Sequence, residues 1–258
     1  MLARALQTRY RQWRLRRHPI PTPIWREALA YSRYAGALAR GEREQLRELT
    51  TLFLQQKRFE GAADFVPDDT ARAVIALKAC IPILHLGLDY YRGWHGIVVY
   101  PGDFRVHEEY MDEAGVVHHA ARDLCGESLT QGPLVLSWGT IVEERKAVDR
   151  DLVIHECAHK LDMLNGPADG FPPLPATLAS RWTAAFAGAY ADLGRELDAD
   201  RDTPLDPYAA TDPAEFFAVA SETFFTAPSI VHEDYPLVYD ALRDFYRQDP
   251  LALLPSAP

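Results

Sequence analysis

The chain has 258 residues, is 48% hydrophobic and carries a net charge of −10 at pH 7, which is enough apolar material for one sizeable core. An acidic balance without clustered excess cation argues against a chain-wide nucleic-acid surface. The longest apolar run, residues 79–88, is broken by Pro82 and His85 and is too short to span a bilayer. No apolar signal segment follows the N-terminal arginines, so a cytoplasmic protein away from membranes is expected.

Residues 1–17 predict a basic amphipathic helix, with Leu2, Leu6, Tyr10 and Trp13 on one side and Arg4, Arg9, Arg11, Arg14, Arg16 and Arg17 around them. A solvated surface helix explains this pattern more simply than a targeting segment. After the extended His18-Pro19-Ile20-Pro21-Thr22-Pro23, helices are expected over 24–40 and 42–60, joined at Gly41. Asp68 and Asp69 offer a cap for a helix over 70–86, bent by Pro82. The period then changes. Gly96–Tyr100 is a β-branched strand, 104–110 and 116–121 flank a turn at 112–115 as a hairpin, and 132–138 is a further strand. That last strand precedes the chemically informative helix, and an edge role pairing with extended peptide is expected for 133–138. Beyond it, 176–197, 213–226 and 236–248 read as helices, with Asp212 capping the second and Pro228 ending it. The three separated cysteines, Cys80, Cys125 and Cys157, form no disulfide framework.

The informative helix is Asp151-Leu152-Val153-Ile154-His155-Glu156-Cys157-Ala158-His159-Lys160-Leu161-Asp162. Asp149 is its expected cap and Asn165-Gly166-Pro167 its stop. His-Glu-x-x-His puts His155 and His159 at i and i+4, on one face, with Cβ atoms roughly 5–6 Å apart. Both ring nitrogens can then reach one Zn²⁺. Glu156 is placed to take a proton from a water that the zinc acidifies. Cys157 points off the ligand face. His85, His95, His107, His118, His119 and His232 have no ligand spacing.

A catalytic zinc site needs a third protein ligand. The extension that ends in a third histidine is excluded, because Asp162 and Asn165 occupy its Gly and His positions. Glu215 and Glu222, seven apart on one face of a later helix, remain. Glu215 also stands three residues after Asp212, a capping-box arrangement, so spacing leaves ligand and cap both open. Glu222 and Asp162 are candidates for holding a ligand histidine in its tautomer, or are solvated acids.

The metal helix, with Asn165-Gly166 and Asp169-Gly170, resembles the Mlc titration factor family of zinc metallopeptidases. So do Ile97-Val98-Val99-Tyr100-Pro101, Gly132-Pro133-Leu134-Val135-Leu136-Ser137-Trp138 and Tyr208-Ala209-Ala210-Thr211-Asp212-Pro213-Ala214-Glu215-Phe216-Phe217. The resemblance covers roughly residues 60–250. It implies zinc held by His155, His159 and Glu215, Glu156 as general base, and Tyr208 as the phenol facing the site. The related catalytic domain of anthrax lethal factor has such a phenol. Two positions depart from the family: Cys157 replaces an aromatic residue, and Gly139 stands where an acidic one is expected for recognising the substrate's end.

The expected fold is α+β and zincin-like: a small mixed sheet over the metal helix, with additional helices. The expected organisation is a single domain over 1–258, with a helical cover (1–60), a catalytic core (61–250) and a tail (251–258). The expected function is aminopeptidase-like hydrolysis of peptides with binding to the Mlc repressor and no direct nucleic-acid contact. An endopeptidase, or a module that sequesters the repressor without peptidase activity, are the alternatives.

Overall fold

The N-terminal half is shaped by where its helices are made to stop. The computed structural model describes residues 11–111, 117–124, 126–128, 132–147 and 149–254. The hairpin turn at 112–115, Cys125 and the arginines before residue 11 lie outside these. The single helix expected over 24–40 is two: α1 (Thr22–Leu29) and α2 (Arg33–Ala37). Ser32 divides them, because its extended backbone lets Oγ accept the Ala35 N–H and start a new helix. The next helix, α3 (Arg40–Gln56), ends before 60 because Lys57 turns extended and leads into β1 (Arg58–Gly61). The Lys57 ammonium reaches inward to donate to the carbonyls of Tyr91 and Trp94. Asp68 caps α4 (Asp69–Cys80) as expected, but the helix stops ahead of Pro82 instead of bending through it.

The strands β2 (Gly96–Tyr100), β5 (Gly126–Ser128) and β6 (Leu134–Ser137) join β1 in a four-stranded mixed sheet, ordered β1-β2-β6-β5. β1, β2 and β6 run parallel, with Phe59 opposite Ile97 and Val99 opposite Leu136, and β5 is antiparallel to β6. The expected hairpin is present as β3 (Phe104–Met111) and β4 (Val117–Leu124). β6 is an interior strand, with all its residues buried, so the edge role expected for 133–138 is not available to it. Among the described strands the outer edge beside it belongs to β5. β6 also ends one residue earlier than expected, because Ser137 Oγ accepts the Thr140 N–H and starts α5 (Trp138–Glu143).

The metal-motif helix is α6 (Leu152–Asp162), and it packs between the sheet and α8 (Pro213–Thr226). Around them lie α7 (Ala176–Asp198), α9 (Pro228–Asp234) and α10 (Pro236–Tyr246). Pro228 ends α8 as expected, then opens α9, a helix the periodicity did not suggest. Trp182 of α7 is fully buried, stacked on Phe186 and packed against Phe217 and Phe245. The N-terminal helices share this core: Trp25, Tyr34 and Leu38 are buried in the same cluster as Ile154 and Phe225. Tyr34 donates to Gln248 Oε1 at 3.0 Å, and Gln248 Nε2 donates to the Ile81 carbonyl at 2.9 Å. Among the described residues no helix is long and apolar enough to cross a membrane.

Candidate metal centre

The start of α6 is set by carboxylates. Asp151, not Asp149, is the cap: its backbone is extended and its Oδ1 accepts the Ile154 N–H at 3.2 Å. The Glu144 carboxylate takes the Leu152 N–H. Asp151 is only 4% exposed, and its second oxygen lies 3.0 Å from Nζ of Lys78, itself 1% exposed on α4. From this fixed start, helical spacing brings His155 and His159 out on one face, with ring centroids 5.0 Å apart.

α8 supplies the third group. Asp212 caps it by accepting the Glu215 N–H at 2.9 Å, which leaves the Glu215 carboxylate free to turn toward α6. Its Oε2 lies 3.1 Å from His155 Nε2 and 3.3 Å from His159 Nε2. Both uses weighed for Glu215 are therefore realised, one by its backbone and one by its side chain. Ligands at about 2.0–2.1 Å from a tetrahedral zinc stand roughly 3.3 Å from one another, so these separations fit that ion. Two imidazoles and one carboxylate are also a zinc donor set, and the three ligand atoms lie within 4.8 Å of one another. Burial opposes the Glu215 charge, but the two histidines outweigh it and hold its carboxyl below the usual range.

The surrounding residues divide into those that hold the ligands and those that face outward. Glu222 accepts the Asp151 N–H with Oε1, and its Oε2 lies 3.2 Å from His155 Nδ1. One carboxylate thus joins the start of α6 to a ligand ring and fixes that ring's tautomer. Asp162 is fully buried and so is not a solvated acid: its Oδ2 accepts the N–H groups of Asp169 and Gly170, pinning the following loop. Cys157 is fully buried, which pushes its thiol up to about 12, and its sulfur is not among the ligand atoms that come together. Glu156 is 5% exposed, and among the described residues its Oε2 has no hydrogen-bond partner. Burial raises the Glu156 carboxyl above its ordinary value, against the pull of both histidines. Tyr208, half exposed, donates its hydroxyl to Glu215 Oε1 at 3.2 Å. Burial, then the Glu215 charge, raises that phenol, so it keeps its proton. His155, Glu156 and Tyr208 line one cavity of about 610 Å³. Glu222 was one of several candidates from the sequence, whereas Lys78 and Glu144 carried no local signal.

The chain matches the family described as glucose-regulated metallo-peptidase M90 over residues 6–247. It is 39% identical to Mlc titration factor A of Escherichia fergusonii over 239 residues, 92% of this chain and 90% of that one. The corresponding protein of Cronobacter sakazakii is also 39% identical, over 92% of this chain and 89% of its own length. That of Salmonella agona is 40% identical over 88% of this chain and 86% of its own. The chain belongs to the M90 metallo-peptidase family. As an M90 protein it keeps an intact His155, His159 and Glu215 cluster in a zincin-type α+β fold, the arrangement of a zinc metallopeptidase.

Two glycines explain local features of this M90 chain. A Cβ at Gly139 would stand 3.1 Å from the Pro101 carbonyl, so an acidic side chain there would crowd that loop. Gly170 has φ of +79°, donates to Asp162, and accepts from Trp182 Nε1, while a Cβ on it would meet the Pro213 carbonyl at 2.4 Å. Gly170→Ala is therefore expected to cost about 2–4 kcal/mol through backbone strain and overpacking against the first turn of α8. The urea midpoint checks this, and an unchanged midpoint would refute it.

Proposed function

We propose that this chain is an aminopeptidase-like zinc peptidase in which Glu156 is the general base and Tyr208 the oxyanion donor. The observation that carries this reading is the cavity shared by Glu156, Tyr208 and His155. Among the described residues the Glu156 Oε2 has no hydrogen-bond partner, which leaves it available to a water. Zinc held by His155, His159 and Glu215 supplies Lewis acidity, which polarises a carbonyl and acidifies a water. Glu156 takes the proton from the attacking water and returns it to the leaving amine. The protonated Tyr208 hydroxyl leaves Glu215 and donates to the oxyanion that develops on the substrate carbonyl. An extended peptide finds its backbone partners along the open edge of β5. The name of the relatives supports a second task, binding of the Mlc repressor, and the protein then works in the cytoplasm beside it. Residues 1–60 act as a cover on the catalytic core within one domain, which accords with the apolar cluster that residues from Ile20 onward share with that core.

The test is hydrolysis of alanine p-nitroanilide, with and without N-acetylation, by wild type and Tyr208→Phe, alongside zinc content. The expected result is one zinc per chain in both proteins and cleavage only of the free-amine substrate. A kcat lowered by about 10²-fold is expected in the Phe variant, the scale of losing one oxyanion donor. Equal cleavage of the acetylated substrate would replace the aminopeptidase reading by an endopeptidase. No hydrolysis of either by the zinc-loaded wild type would favour a repressor-binding module.

A further inference from the structure

Tyr208 sits on a single 3-10 turn, Pro207–Ala210, with half its surface in solvent and its hydroxyl bonded to a group that is itself a ligand candidate. Such a short turn has little stiffness of its own. The turn is held by the buried Ala209, by Tyr190, whose hydroxyl donates to the Ala210 carbonyl at 3.1 Å, and on the Tyr208 side by its cap Asp206, whose two oxygens are both engaged. Oδ1 accepts the Tyr208 N–H at 2.9 Å, and Oδ2 accepts from Arg150 Nη2 at 2.7 Å. Arg150 directly precedes Asp151, which caps α6 and is held by Glu222. Glu222 in turn contacts His155. Polar contacts, joined through the backbone from Arg150 to Asp151, thus run from the phenol's turn to a metal-ligating ring. Arg150 and Asp206 both border the cavity that holds Glu156.

We propose that the Arg150–Asp206 pair is a positioning strap for Tyr208, holding the turn that carries the phenol in register with the start of the metal helix. The proposal rests on the reading of Tyr208 as the oxyanion donor. An exposed ion pair contributes little to stability, with a typical worth of about 0–1 kcal/mol, so its removal should leave the fold intact. Its effect falls on geometry, where a displacement of about 1 Å costs up to 10²-fold in rate.

Steady-state kinetics on alanine p-nitroanilide, with zinc content and thermal midpoint, test the strap in Arg150→Met, Arg150→Lys and Asp206→Asn. Each is made in the wild-type and in the Tyr208→Phe background. The expected result for Arg150→Met is kcat lowered by about tenfold, with KM within about twofold and zinc unchanged. Arg150→Lys should recover most of the loss, and Asp206→Asn, which keeps an acceptor for the Tyr208 N–H, should fall between. In the Tyr208→Phe background Arg150→Met should have no further effect on kcat. Unchanged kcat in Arg150→Met, beside a slow Tyr208→Phe, would overturn the strap and leave the phenol's role standing. An equal loss in both backgrounds, or a loss of zinc, would show that Arg150 acts other than through Tyr208. Unchanged kcat in Tyr208→Phe alone would remove the phenol's role, and the strap with it.

Discussion

Glu156→Gln is expected to bind zinc as wild type does and to lose about 10²–10⁴-fold in kcat, the usual worth of a positioned general base. The substitution keeps the shape of a side chain that is buried and whose Oε2 has no partner among the described residues. It removes only the capacity to take a proton. The ligand atoms of His155, His159 and Glu215 do not depend on that side chain, so metal content should stay at one per chain. Zinc analysis and anilide hydrolysis on the same preparation measure both. A loss of no more than about threefold, far short of the range expected for a base, would sink the assignment. The same variant separates catalysis from binding, because a folded, inactive protein that still binds the Mlc repressor would show that the two tasks are independent.

Lys78→Met is expected to destabilise the protein by about 3–5 kcal/mol, the cost of leaving one member of a buried ion pair without its partner. Lys78 and Asp151 are both nearly inaccessible, and their charged atoms are 3.0 Å apart. Burial already raises the Asp151 carboxyl, and Lys78 is the first influence working against it. Without the ammonium, Asp151 must take up a proton or bring water into the core, and the cap on α6 weakens either way. Adding Asp151→Ser removes the stranded charge and keeps a hydroxyl cap, so the double variant should be more stable than Lys78→Met alone. Urea denaturation of the three proteins decides this. A single variant within about 1 kcal/mol of wild type would show that the pair contributes no more than an exposed one.

The parts of this architecture that could be read from the sequence were those whose cause lies within a few residues. The two histidines one turn apart, the Asp68 and Asp212 caps, the β-branched run Gly96–Tyr100 and the paired segments around the hairpin all declare themselves locally. What stayed hidden is set by distant partners. β1 has four residues and no alternation in burial, and it becomes a strand because β2 lies beside it. The interior place of β6 depends on β5, a three-residue segment that carries no pattern of its own. Asp149 and Asp151 are equally good caps by type, and Lys78, on a different helix, selects the second. Glu215 was ambiguous for a related reason: its backbone and side chain serve different partners, and spacing describes only the first.

The division of the ligand set between α6 and α8 has a consequence for how the protein comes into being. His155 and Glu215 are 60 residues apart, and the N-terminal layer is fastened through Tyr34 to Gln248, 214 residues away. A growing chain emerges from the ribosome at about 5–20 residues per second, so a nascent chain spends several seconds with the histidine pair made and the glutamate still unmade. Over that interval two imidazoles alone face the metal pool of the cell. Full affinity arrives only with α8, and the N-terminal layer closes later still, when Gln248 emerges. Full ligation therefore waits for α8, well after the two histidines have been made.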